Sequence, residues 1–165
     1  MTRHHSSRRR GLAIAAALAF AASGASAQFV AESDEPLDIT SDRLESEEDI
    51  ATWIGDVRVL QGESILTTDR LVIVRNEDGG VDEIRAEGNV RYSTGQESIT
   101  GDVAIYNELT RSINMTGDVV VTQGKQVMSG GDLVYWVDTG KINFTAPQGE
   151  RVRGIFHTKS LDNNS

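Results

Sequence analysis

Taking every second residue around three glycines isolates one apolar face of the chain. The sets are Ala51, Trp53, Gly55, Val57 and Val59, then Ile84, Ala86, Gly88, Val90 and Tyr92, then Ile113, Met115, Gly117, Val119 and Val121. The positions between them are mostly polar in the second set (Arg85, Glu87, Asn89, Arg91, Ser93) and in the third (Asn114, Thr116, Asp118, Thr122). Period-two alternation is the signature of a half-buried strand, so the pattern predicts three long antiparallel strands with an apolar inner face. A glycine in mid-strand marks a bend or a close backbone approach. We read it as a corner at which each strand leaves one sheet and enters another.

The strands belong to a repeat. Gly55-Asp56-Val57, Gly88-Asn89-Val90 and Gly117-Asp118-Val119 are each followed, seven residues after the first glycine, by Gly62, Gly95 and Gly124. Asp69 and Asp102 stand fourteen residues after their glycines and Asp132 fifteen, and the units are spaced 33 and 29 residues apart, as repeated supersecondary units are. Ile39-Thr40-Ser41-Asp42-Arg43-Leu44 reads as the second half of an incomplete first unit. Leu66, Ile99 and Met128, eleven residues after the glycines, extend the inner face, and Thr68, Gly101 and Gly130, two further on, are small enough for another corner.

Beyond each aspartate the parity no longer selects a face, because Leu71 to Ile73, Val103 to Ile105 and Leu133 to Val137 are apolar throughout or nearly so. Either both faces are covered there or a bulge flips the register. A fourth copy opens with Ile142 and Phe144 but has Ala146-Pro147 where the glycine belongs, and proline ends the repeat. Asn76 to Gly80 and Asp138-Thr139-Gly140 are hairpin turns, with Asn107 to Thr110 a weaker one. Ser41 to Asp49 is either one turn of helix or an acidic loop, and the loop is preferred.

The chain of 165 residues has room for one domain. Its start combines Arg3, Arg8, Arg9 and Arg10 with an apolar run, Gly11 to Ala22, and a small-residue site, Ala25-Ser26-Ala27, which predicts a signal peptide cleaved after Ala27. Ser7 to Leu12 faintly resembles a twin-arginine signal, but the general secretory route is favoured. The expected organisation is a signal peptide at 1–27, a flexible acidic segment at 28–36, the β-domain at 37–158 and a flexible tail at 159–165. Loss of the leader's four arginines leaves 12 basic residues against 25 acidic ones, net −13. That charge disfavours nucleic acid and anionic headgroups as electrostatic partners. With no cysteine, an exported chain relies on burial and sheet hydrogen bonds.

Catalytic chemistry has little to work with. Beyond the leader there is one histidine, His157, and no nucleophile-elbow sequence, so neither a cysteine–histidine nor a serine–histidine site is expected. No zinc cluster or EF-hand loop is present, and no cofactor is expected. The recurring Asp42, Asp69, Asp102 and Asp132 read as structural residues of turns or bulges. Trp53, Tyr92, Tyr106, Tyr135, Trp136 and Phe144 are candidate sugar-stacking residues, with core packing the simpler role.

The motifs Ile39-Thr40-Ser41-Asp42, Gly55 to Gly62, Leu66 to Leu71, Thr116 to Gly124 and Gly131 to Tyr135 together resemble the OstA-like family of periplasmic lipopolysaccharide-transport proteins, over residues 37 to 158. The resemblance implies an all-β fold, an antiparallel, twisted, V-shaped open β-jelly roll whose interior holds lipid A acyl chains. Burying a methylene contributes about 0.8 kcal/mol, so a long acyl chain needs a continuous apolar track. On this reading the groove is lined by Val57, Val59, Leu66, Ile84, Val90, Tyr92, Ile99, Ile113, Met115, Val119, Val121, Met128, Ile142 and Phe144.

The resemblance also implies a periplasmic bridge between the two membranes, built head to tail through terminal strands. The first strand, near Leu37 to Leu44 and including Ile39, would face an inner-membrane lipopolysaccharide export complex. The last, near Arg151 to Thr158 and including Val152 and Ile155, would face an outer-membrane lipopolysaccharide assembly protein, and copies of the chain would join as homo-oligomers. Two other readings stay open: a membrane-anchored component of the same pathway, and a structural or glycan-binding β-module without lipid.

Overall fold

The structure, a computed structural model, describes residues 36–95 and 97–157. The expected signal peptide, nearly all of the acidic segment, Thr158 and the tail lie outside the described residues. Ten strands follow in order: β1 (Asp38–Thr40), β2 (Arg43–Glu47), β3 (Ile50–Gln61), β4 (Ser64–Arg75), β5 (Val81–Ser93), β6 (Glu97–Asn107), β7 (Ser112–Gln123), β8 (Gln126–Trp136), β9 (Lys141–Thr145) and β10 (Arg153–Ile155). All neighbours pair antiparallel, in the order β1-β3-β4-β5-β6-β7-β8-β10, with β2 on β3 and β9 on β8.

Six of these strands run 11 to 13 residues, and a line of bulges divides each in two. The register slips between Ile54 and Val57, between Glu87 and Val90, and between Thr116 and Val119, where two residues of one strand oppose one of its neighbour. One half of the sheet is completed at its ends by β2 and β9, and the other half by β1 and β10. Buried side chains of both halves form a single core. Val57, Val59, Leu66, Val90, Tyr92, Ile99, Val119 and Val121 come from the half bearing β1, and Leu71, Ile73, Ile84, Ala86, Met115, Leu133 and Tyr135 from the half bearing β2. The all-β antiparallel architecture read from period-two alternation is therefore present.

Three details differ from the sequence reading, and one alternative left open is settled. The glycine corners do not pass a strand between separate sheets: they are bulges in one continuous sheet, and the residue after each glycine is left-handed too, with φ of 41° at Asp56, 48° at Asn89 and 46° at Asp118. Parity after the aspartates is settled by the flip. On β4 the buried positions run Leu66, Thr68, then Leu71, Ile73, with Asp69 and Arg70 exposed between them.

The segment Ser41 to Asp49 is not a loop. Arg43–Glu47 pairs in full register with Ile50–Ile54, because the ladder hydrogen bonds offered by the edge of β3 outweigh the polar side chains, all of which remain in solvent. Lastly, the first strand is broken at Ser41 and Asp42 into β1 and β2, and the last spans only Arg153–Ile155. At the end of the repeat, Pro147 packs where a β-carbon on Gly131 would fall, 2.6 Å from its Cδ.

Candidate functional site: an apolar interior between two open edges

Each bulge is built by residues of two successive strands. A β-carbon placed on Gly55, Gly88 or Gly117 would lie 2.3, 2.4 or 2.2 Å from Oδ2 of Asp42, Asp69 or Asp102 respectively. The carboxylate of one repeat thus occupies the space left by the missing side chain of the next, which accounts for the pairing of Gly and Asp in the sequence. Asn89 Nδ2 donates to Asp69 Oδ2 at 2.8 Å, and the buried Thr68 hydroxyl lies 2.9 Å from the Glu87 carbonyl and 3.0 Å from that of Gly88, ready to donate to either. At the equivalent positions Gly101 and Gly130 stay small, because a β-carbon there would come within 3.1 Å of the Thr116 carbonyl or 3.0 Å of the Thr145 carbonyl.

With the halves so joined, their inner faces meet. Of the fourteen groove candidates, Val57, Val59, Leu66, Ile84, Val90, Tyr92, Ile99, Met115, Val119 and Val121 are buried in the common core, and Ile113, Ile142 and Phe144 pack against it half-buried. Met128 is half-buried beside Val121. The structure adds Leu71, Ile73, Ala86, Leu133 and Tyr135 to the buried set, with Trp53, Ala104 and Tyr106 against it. Leu71, Ile73, Ala104, Tyr106, Leu133 and Tyr135 lie beyond the aspartates, where alternation is silent. The available signal was the aspartate itself, as the mark of a parity flip.

Between the halves lies a cavity of about 60 Å³ whose twelve lining residues include Leu66, Tyr92 and Ile99 from one half and Ile84, Met115 and Leu133 from the other. Almost no polar surface reaches it. Burial, with a smaller contribution from the negative charge of Glu97 on the opposite half, pushes the Tyr135 hydroxyl far above its ordinary pKa. At the turn-bearing margin, burial and then the hydrogen bond donated to Glu108 push Tyr106 up to about 12. Among the described residues no group of three His, Asp or Glu side chains is arranged to hold a metal ion.

The ends of the sheet are of a different character. β1 and β2 leave one side unpaired, as do β9 and β10. Leu37, Leu44 and Ile50 at one end and Val152, Ile155 and Phe156 at the other are 39% to 55% exposed, whereas Ile39 is half-buried against the core. Large apolar side chains exposed on free strand edges are the usual mark of a pairing surface.

A continuous antiparallel sheet, bent by bulges around an apolar interior and left open at both edges, is an open β-jelly roll. The family profile described as LptA/(LptD N-terminal domain) LPS transport protein matches residues 38–141. An uncharacterized protein of Rhizobium meliloti (strain 1021) is 32% identical over 146 residues, covering 82% of this chain and 78% of that protein. The crystal structure of LptH from Pseudomonas aeruginosa, the LptA homologous periplasmic component of the conserved lipopolysaccharide transport device, superposes with a TM-score of 0.65. It has 18% identity and is covered over 98% of its length by 76% of this chain, a likeness of fold. The chain belongs to the LptA/LptD N-terminal domain family of LPS transport proteins.

Proposed function

We propose that this chain is a periplasmic, non-enzymatic bridge protein that binds lipopolysaccharide, shields the lipid A acyl chains between its two half-sheets and passes the lipid from the inner to the outer membrane. The observation that carries the reading is an interior walled by apolar side chains from both halves in a member of this family. A cavity of about 60 Å³ is well below the roughly 150 Å³ that takes up a single benzene ring, so an acyl chain needs more room than this arrangement offers. Loading therefore parts the halves. Strand pairing runs only between neighbours around the bulged strands, so the margin bearing the hairpin turns is the natural seam.

Cleavage after Ala27 would release the exported domain, residues 37–158, with its acidic surface. Grip on the lipid comes from apolar contact, leaving the phosphorylated headgroup outside. The β1/β2 edge takes the inner-membrane export complex, the β9/β10 edge takes the outer-membrane assembly protein, and copies of the chain join head to tail between them.

The test is a photo-crosslinking amino acid at Ile99, buried on the inner face, with exposed Arg91 on the same half as control. After export through a Gram-negative periplasm and irradiation, a lipopolysaccharide adduct at Ile99 alone is expected. No adduct at either site in folded, exported protein would favour a structural or glycan-binding module.

A further inference from the structure

On the half bearing β1 the inner face changes character toward its turns. Val59, Leu66, Tyr92, Ile99, Val121 and Met128 stand in register across β3 to β8. Two residues further along the strands, and so on the same face, the row holds Gln61, Ser64, Glu97, Gln123 and Gln126. Gln61 is 8% exposed and lines, with Ser64, a small pocket against Val59, Leu66 and Tyr92. The hydroxyls of Ser64 and Tyr92 share a hydrogen bond of 3.0 Å. Gln123 Nε2 donates to Glu97, which in turn acts on the Tyr135 hydroxyl of the opposite half, across the interior. Gln126 Oε1 is buried and has no hydrogen-bond partner among the described residues.

The facing margin is different. On the half bearing β2, Ile84, Ile113 and Ile142 continue the inner face beside the rings of Tyr106 and Tyr135, and Val81 and Val137 pack against the core beyond them. One lip of the interior is thus lined by amides, a hydroxyl and a carboxylate, and the other by hydrocarbon and tyrosine rings. The polar row contains no cation, so it is unsuited to phosphate. Its amide and carboxylate oxygens accept from hydroxyl and N–H donors. An acyl chain offers neither along its length, whereas an acylated amino sugar offers both where chain joins ring. A buried acceptor without a donor is unfavourable, and a ligand that brings one relieves it.

We infer that the row of Gln61, Ser64, Glu97, Gln123 and Gln126 is a subsite for the junction between sugar and acyl chains of the bound lipid, with Gln126 Oε1 accepting a hydroxyl or amide N–H there. The chains lie inward, along Val59, Leu66 and Ile99, the ring stops at the polar row, and the phosphates stay in solvent. The row therefore sets the depth of insertion and selects acylated sugars over simple fatty acids. The assignment rests on the lipid-carrier reading above and deepens it.

The test titrates lipopolysaccharide and laurate, a single acyl chain without a sugar, against the exported chain and its Gln126→Leu variant, which removes the acceptor and keeps an apolar side chain in its place. Affinity for lipopolysaccharide is expected to fall about fivefold, the worth of one hydrogen bond, while that for laurate is unchanged. In urea the variant is expected to be at least as stable as the parent, because the atom it loses has no partner in the unloaded fold. Gln126→Met, unbranched and closer in shape to glutamine, carries the same expectations. Equal losses for both probes, or no loss for lipopolysaccharide, overturn the subsite. A clear loss of stability in both variants gives Oε1 a structural role and overturns it as well. A parent chain that takes up neither probe overturns the lipid-carrier reading itself, an outcome kept apart because the subsite is scored only against a parent that binds lipopolysaccharide.

Discussion

Asp69 and Gly88 share one site: the Asp69 carboxylate oxygen lies 2.4 Å from the place a β-carbon of Gly88 would take, and Gly88 has φ +81°. Two separate penalties therefore meet any side chain there, left-handed backbone and steric overlap. Gly88→Ala is expected to destabilise the fold by about 1–3 kcal/mol. Asp69→Ala removes the overlap and leaves the backbone term. In urea unfolding the double variant should then be less destabilised than the sum of the singles. Strict additivity would show that the carboxylate does not hold the glycine position.

Leu71 is fully buried and lies at the start of the flipped register on β4. Leu71→Ala is expected to lose about 2–5 kcal/mol, whereas Val72→Ala, on the opposite face, loses about 1 kcal/mol or less. Equal losses in denaturant titrations would place the bulge elsewhere.

Ile99 and Met128 occupy equivalent repeat positions with different surroundings. Ile99 is 5% exposed, and Met128 is half-buried near the β10 edge. A charge in the Ile99 site faces an apolar core with no partner and should unfold the domain. Met128→Asp leaves room for water at the margin, so we expect folded protein by circular dichroism that fails to retain lipopolysaccharide on purification. Retained loading would remove Met128 from the lipid track.

Tyr106 sets an alkaline limit. Its pKa rises from 10.0 to about 12 on folding, so the folded chain binds the phenolic proton more tightly than the unfolded chain. The stability this contributes is complete below about pH 10 and is lost as pH rises toward 12. Tyr106→Phe should make unfolding free energy fall less steeply across that window. An unchanged slope would assign the alkaline sensitivity to Tyr135 and other groups.

Much of the interior was legible in the chain. Val57, Ile84, Val90 and Tyr92 alternate with polar neighbours, and Val59, Val119 and Val121 continue the same period with one apolar neighbour each, and a side chain that must face either oil or water records that choice directly. Leu71, Ile73, Leu133 and Tyr135 could not be assigned in this way, because their neighbours are apolar as well. The strand at Arg43–Glu47 was hidden for the opposite reason: its residues are exposed on both faces, so no alternation survives, and its backbone bonds to β3 leave no mark on side-chain identity.

The sequence by itself determined the repeated strands, their inner face and the recurrence of one glycine and one aspartate in each unit, since these depend on local period and on residue types few substitutes can match, whereas the packing of each aspartate against the glycine of the next unit came from the structure. Tertiary structure alone decided that the glycines lie in bulges of one continuous sheet, where the parity flips, and which strand edges remain free. Those properties belong to pairs of strands: a bulge exists only relative to the ladder beside it, and an edge is open only when no neighbour arrives.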